Sequence, residues 1–182
     1  LLMHPATKRA GHRKFSGNER MRHFEMKEVM ELGSLTVTSV PTLHDSASST
    51  GFLVESGGVS LGYLTDLGAV TEDNFLAMRK VDFLVMEANH DRDMLWNGPY
   101  PPHLKARVDS RVGHLSNRDS AEFIALLAEL GNLNGVMLAH LSEKNNDPDL
   151  AMSVVSQRQE QDLNIILARQ DQPLKPIEVE TK

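Results

Sequence analysis

An α/β fold is expected of this 182-residue chain. From about residue 60 onward, short apolar runs of strand type alternate with stretches of helical period, the pattern of helices laid on a sheet. Two of the runs, VDFLVMEA at 81–88 and NGVMLAH at 134–140, are nearly continuous in apolar residues, as strands covered on both faces are. The stretch 117–130 reads as the strongest helix, with Phe123, Leu126, Leu127 and Leu130 on one face and Gly131 just past its end.

Taken in order, residues 5–14 suit a short helix, and 17–31 is polar and methionine-rich with weak periodicity. LTVTSVPT (35–42) alternates apolar and β-branched residues with polar ones, and a serine-rich turn follows. GFLVES (51–56) and VSLGYLT (59–65) flank Gly57 and Gly58, a pair that favours a tight hairpin turn. A helix starts at Thr71 and runs through TEDNFLAMRK, with Glu72 and Asp73 in the first turn, where acidic groups suit the helix dipole. Residues 91–101 contain Trp96, Gly98 and Pro101, with Pro102 next, and read as a loop with at most one helical turn. A helix over 103–111 comes next. Beyond the strand at 134–140, DPDLAMSVVSQRQEQ (147–161) reads as a helix with Pro148 near its start, and NIILARQ and PIEVE read as final strands.

Composition bounds the function loosely. With 40% apolar residues, the chain can build a sizeable core, as one domain or a large piece of one. A net charge of −6 argues against broad electrostatic capture of nucleic acid and leaves a local basic patch open. With no cysteine, disulfides and thiolate metal sites are excluded, which fits a reducing cytoplasm; any metal must be held by histidine and carboxylate. No apolar run approaches the roughly 18 residues of a membrane span, and the start lacks a signal-peptide core. The chain opens on Leu1 and a basic amphipathic stretch, like the middle of a domain, so a truncated start is expected.

Three residues stand where apolar runs end: His44 opening HDSASSTG, Asp66 inside GYLTDLG, and His140 inside VMLAHLSEKN. Each alone also suits a structural role, a surface or capping histidine or an aspartate in a turn. Together, two imidazoles and a carboxylate form a donor set for a divalent ion that keeps an open position for water. Such ions acidify bound water, and one carboxylate can bridge two of them.

The full set of motifs, HDSASSTGF, GYLTDLG, EANHDRDML, GPYPPHLKARV, GHLSN and AHLSEKNN, resembles the metallo-β-lactamase superfamily, and within it the YycJ/WalJ-type, ribonuclease Z/J-like metallohydrolases. The interval from His44 to Asp66 (66 − 44 = 22) is similar to that of the nuclease branches. The resemblance implies the later part of an αββα sandwich and a metal-dependent phosphodiesterase or nuclease using two divalent ions, zinc or manganese. It implies His44 and His140 as ligands on different ions, Asp66 as the bridging carboxylate, and a Glu87–His114 pair that orients and supplies a proton donor. Its departure is the absence of the upstream H-x-H-x-D-H motif, since no Asp-His pair occurs anywhere in the chain. Three ligands cannot hold two ions, so the chain is expected to be a single partial domain over 1–182, with little activity alone and a nucleic acid or other phosphodiester as the parent's substrate.

Alternatives stay open. Glu87 also suits an ion pair at a strand end, and His114 a place in the cap of the following helix. His90 and Asp91 are close enough in sequence to Glu87 to face the same cleft. Lys105, Arg107 and Arg111 stand at roughly helical spacing and suit either phosphate contacts or a solvated face. Nothing assigns His4, His12, His23 or His103. A non-catalytic binding module, or the same fold acting on a thioester, lactone or cyclic nucleotide, competes with the nuclease reading. An incomplete sandwich exposes an apolar sheet face, so self-association into homo-oligomers is expected.

Overall fold

The computed structural model describes residues 1–11, 22–159 and 163–181. Fifteen elements follow in the order β1 (Leu2–Met3), α1 (Pro5–Ala10), β2 (Arg22–His23), β3 (Val29–Leu32), β4 (Leu35–Pro41), β5 (Thr50–Ser56), β6 (Val59–Leu64), α2 (Glu72–Met78), β7 (Phe83–Glu87), α3 (Arg92–Asn97), α4 (Pro102–Val108), α5 (Asn117–Glu129), β8 (Gly135–Ala139), α6 (Pro148–Arg158) and β9 (Asn164–Leu167). Strands β3 to β9 form one sheet in sequence order, and β1 pairs with β2 in a small separate ribbon.

The sheet changes character at β6. Strands β3 to β6 are joined as antiparallel hairpins, while β6 to β9 run parallel and need helical crossovers. The β5–β6 hairpin closes at Gly57 and Gly58, with φ of 58° and 86°, a left-handed pair that only glycine adopts without strain. Helix α2 starts where its residues dictate. The Thr71 hydroxyl accepts from the Asn74 amide, and the Asn74 side chain accepts in return from the Thr71 backbone. Ser116 caps α5 by accepting from the Asp119 amide, and Asp147 caps α6 ahead of Pro148.

One face of the sheet carries the core. Leu64, Leu84, Met86, Val136 and Leu138 pack with Met78 of α2, Ile124 and Leu127 of α5, and Ala151 and Val155 of α6. Each fully buried side chain of this size contributes roughly 1.5–3 kcal/mol. On the other face, Val37, Phe52 and Val54 are covered at one edge by Leu2, Phe24 and Met30. The cross-strand register continues that face through Leu61, Tyr63, Val85 and Met137. These four are only partly buried or exposed, and Tyr63 is 41% exposed.

Several expectations need correction. The polar segment expected at 17–31 contributes an edge strand, β3, because Val29–Leu32 pairs with β4 across the turn at Gly33; residues 17–21 lie outside the described residues, as does His12. Residues 91–101 are more helical than expected, since the Asp91 carboxylate accepts from the Met94 amide and starts the six-residue α3. Helix α4 ends at Val108, so Arg111 lies beyond it. On α5 the buried face is Phe123, Ile124, Leu127 and Ala128, and Leu126 and Leu130 point outward at 45% and 46% exposure. PIEVE is not a strand. Among the described residues, no helix is long and apolar enough to cross a membrane.

Candidate metal centre

Parallel strands all end on one edge, and loops leaving that edge share a crevice. Asp66 lies just past β6, Glu87 is the last residue of β7, and His140 follows β8 directly. His44 leaves β4, which runs in the same direction as β6, and His114 sits on the loop between α4 and α5. All five expected residues converge there.

Asp66 stands between two imidazoles, with Oδ1 3.8 Å from His44 Nε2 and 3.9 Å from His140 Nε2. His44 Nδ1 donates to the Gly113 carbonyl at 2.8 Å. A carbonyl only accepts, so this bond places the proton on Nδ1 and leaves the Nε2 lone pair facing Asp66. Glu87 Oε1 accepts from His114 Nδ1 at 2.7 Å and lies 3.3 Å from His140 Nδ1, while Oε2 accepts from the Leu67 amide at 3.1 Å. One ligand atom each from His44, Asp66 and His114 lies within 4.8 Å of the others, and the same holds for Glu87, His114 and His140. Ligands about 2.1 Å from a tetrahedral ion stand about 3.4 Å apart. The donor set therefore fits a divalent cation with small rotations of side chains.

The backbone bends to deliver these groups. Asp66 and His140 have φ of 55° and 57°, and among the described residues only Lys27 shares this left-handed conformation outside glycine. Such conformations cost about 1–3 kcal/mol each and persist where surroundings enforce them. Ser49 Oγ donates to the Asp66 carbonyl at 3.0 Å and Asn89 Nδ2 to the His140 carbonyl at 2.8 Å, fixing both bends.

The loop 109–116 ties the parts together. Beyond Gly113 and His44, the Val112 carbonyl accepts from Asp45 N at 3.0 Å, and the Leu115 carbonyl from Asn89 N at 2.9 Å. Gly68, itself bonded to the Leu43 carbonyl at 2.9 Å, presses against this loop. A Cβ at Gly68 would meet Ser110 O and stand 2.5 Å from both Arg111 C and Gly113 N. Gly68→Ala is thus expected to push the loop off His44 and lower the melting temperature by several degrees, with weakened metal binding; an unchanged melting curve and unchanged affinity would contradict this packing.

Charge follows geometry. Burial raises the pKa of Glu87, but hydrogen bonds from His114 and His140 outweigh it and hold the carboxyl below its ordinary value. The hydrogen bond to Glu87 raises His140 above its ordinary value, against burial. In the metal-free chain the Glu87 contribution is present above the ordinary carboxyl pKa and fades as pH falls through its depressed value. The His140 contribution is complete below the ordinary imidazole pKa and fades as pH rises through its elevated one. Metal must displace the His140 proton, so affinity is expected to rise as pH climbs through the elevated His140 pKa, with proton release visible by calorimetry in buffers of different ionisation heat.

The cleft above these residues has a volume of about 460 Å³. Asn89, Tyr100, Arg107, Lys144 and Gln170 line it with the histidines. Asn89, Tyr100 and Lys144 lie inside the motifs EANHDRDML, GPYPPHLKARV and AHLSEKNN without being singled out there as site residues, and Gln170 carries no sequence signal. A larger cavity, about 700 Å³, lies around the Gly57–Gly58 turn with Lys80 and Asp82, but it holds no imidazole. His90 and Asp91 do not face the metal centre. His90 is fully buried and lines a separate cavity with Asp91, Arg92 and Arg118, because its main chain pairs with Ser116 and turns the ring away. Of the three expected basic residues, Lys105 Nζ donates to the Trp96 carbonyl at 2.7 Å, Arg111 is exposed on the loop, and Arg107 alone lines the cleft. The cap of α5 is Ser116 and not His114. His4 instead caps α1 by accepting from Ala6 N, and His23 and His103 are exposed.

A mixed sheet with helices on one face, and histidine and carboxylate side chains gathered where its strands end, defines the class: an α/β domain with a candidate metal-ligand crevice. The chain belongs to the beta-lactamase superfamily domain family, whose model matches residues 3–140. It is 35% identical over 144 residues to exodeoxyribonuclease WalJ of Streptococcus pneumoniae, covering 78% of this chain and 53% of that protein. It is 34% identical over 134 residues to exodeoxyribonuclease YycJ of Bacillus anthracis, covering 74% and 50%. The chain thus spans about half the length of the relatives it matches. The crystal structure of the metallo-β-lactamase fold protein YhfI from Bacillus subtilis superposes with a TM-score of 0.71 at 14% identity, over 92% of this chain and 61% of that one. The metallo-β-lactamase fold expected from the motifs is the fold found.

Proposed function

We propose that this chain carries the later ligands of a binuclear centre in a metal-dependent phosphodiesterase acting on DNA. The convergence of His44, Asp66, Glu87, His114 and His140 on one crevice carries the reading, and likeness to two exodeoxyribonucleases supports the substrate. His44 and His140 would hold one ion each through Nε2, and Asp66 would bridge them. Zinc or manganese suits such a donor set. When bound, the ions supply Lewis acidity and a nucleophile from water. The rest falls to the chain. Glu87 holds the proton of His114 on Nδ1 and fixes the ring, and a protonated His114 Nε2 would donate to the leaving oxygen of the phosphodiester.

Three ligands do not complete two coordination spheres, so the remaining donors would come from residues outside this sequence, and 1–182 is a partial domain in this reading. Lack of cysteine accords with a cytoplasmic setting. The partly exposed stripe Leu61, Tyr63, Val85 and Met137 supports association through that face, with a second copy or with the rest of the domain. The test joins the part of S. pneumoniae WalJ that this chain does not match to residues 1–182. Cleavage of single- or double-stranded DNA with zinc or manganese supports the proposal; a folded, metal-loaded chimera that cleaves no phosphodiester defeats it.

A further inference from the structure

We infer that Arg107 is the residue that grips the substrate phosphate at the cleft, and that Asp45 is its positioning residue. This rests on the phosphodiesterase reading and adds a contact that the ligand set does not include. Arg107 donates to Asp45 from Nε at 2.5 Å and from Nη2 at 2.8 Å, a two-pronged grip that fixes the plane of the guanidinium. Asp45 is in turn held by its backbone bond to Val112, and its Oδ1 stands 3.5 Å from His44 Nε2. The guanidinium is therefore one carboxylate away from the expected ligand.

A buried ion pair would be closed to ligands, but this one is open. The Arg107 side chain is 48% exposed, and it lines the cleft with His44, Asp66, His114 and His140. A guanidinium has five N–H donors, of which Asp45 takes two, so the outer edge of the fork keeps donors for a phosphate oxygen. Planarity and permanent charge suit that task better than the flexible ammonium of Lys144, which also lines the cleft. Holding Arg107 in place before binding also spares the side-chain entropy that a mobile arginine would lose.

The neighbouring cations serve as internal controls. Lys105 is committed to the Trp96 carbonyl, and Arg111 is exposed on the loop outside the cleft lining.

The experiment measures binding of a fluorescein-labelled single-stranded oligothymidylate to residues 1–182 by anisotropy, in chelator so that no cleavage intervenes. Arg107→Ala is expected to weaken binding about 10-fold or more and to reduce the slope of log affinity against log salt by about 0.7, one phosphate contact on a single strand. Arg107→Lys should restore the slope but not the full affinity, and Arg111→Ala should change neither. Asp45→Asn should weaken binding less than Arg107→Ala and add nothing on top of it, as expected of a residue that acts through Arg107. Wild-type affinity and slope in Arg107→Ala would overturn the inference, as would failure of the unaltered chain to bind the oligonucleotide. Additive losses from Asp45→Asn and Arg107→Ala would overturn the role given to Asp45. Arg107-dependent binding alongside an inactive chimera would keep this inference and remove the catalytic one; a cleaving chimera with a neutral Arg107→Ala would do the reverse.

Discussion

Asp66→Ala is expected to abolish metal binding at the proposed centre and, in the chimera with the unmatched part of WalJ, phosphodiester cleavage. The Asp66 Oδ1 atom faces both His44 Nε2 and His140 Nε2, so its removal takes the shared donor from two imidazoles at once. Substitution of residues that merely support ligands costs about 10- to 100-fold in metal affinity, so loss of Asp66 in its proposed bridging role should exceed about 100-fold. Asp66→Asn separates ligation from backbone. Asparagine tolerates the left-handed conformation at this position at least as well as aspartate, so the folded state should survive while metal is lost. Metal content after dialysis, read beside a thermal melt, decides the matter. An Asp66→Ala protein that retained full metal stoichiometry would remove this residue from the centre.

Glu87 should produce the second largest effect, and for a different reason. Its carboxylate is fully buried and serves His114, His140 and the Leu67 amide together. Glu87→Gln keeps the shape but replaces an acceptor by an amide N–H₂ and removes the charge that two imidazoles face. Metal affinity and activity should fall about 10- to 100-fold with the fold retained. Glu87→Ala goes further, because it leaves the Leu67 amide and the mostly buried His114 ring without their partner, while His140, 42% exposed, can turn to solvent. Leaving a buried donor unsatisfied costs about 1–3 kcal/mol, measurable as a lowered urea midpoint. A Glu87→Ala protein as stable as the unaltered chain would show that the carboxylate does not organise the crevice.

Much of this was legible in the sequence, and the physics explains which parts. His44, Asp66, Glu87 and His140 stand at the ends of apolar runs, and parallel strands carry such ends to one edge whatever the detail of the loops. The β5–β6 hairpin was legible because Gly57 and Gly58 permit little else. Edge strand β3 was not, since a strand with one exposed side and one partner needs little apolar content, and Val29–Leu32 is nearly all exposed. The outward-facing Leu126 and Leu130 of α5 followed helical spacing but not the actual angle of packing, which tertiary contacts set. The turn of His90 away from the crevice was likewise hidden, because it depends on main-chain pairing with Ser116, 26 residues on (116 − 90 = 26). Arg107 could be named as a basic residue in a basic window, but its distinction from Lys105 and Arg111 exists only in three dimensions.

The loop 109–116 has a thermodynamic meaning beyond its geometry. It carries His114, positions His44 through Gly113, and anchors Asp45 and Asn89 through Val112 and Leu115. Detachment of this one segment would disperse ligands that are up to 96 residues apart in the chain (140 − 44 = 96). Local unfolding of the loop and loss of ligands are then a single equilibrium, and an ion that binds only the assembled site must oppose both. At a concentration 100 times its dissociation constant, such a ligand protects by about 2.7 kcal/mol. The metal would act there as a latch on backbone fluctuation, slowing amide exchange at Gly113 and Leu115 in addition to its proposed part in chemistry at Asp66.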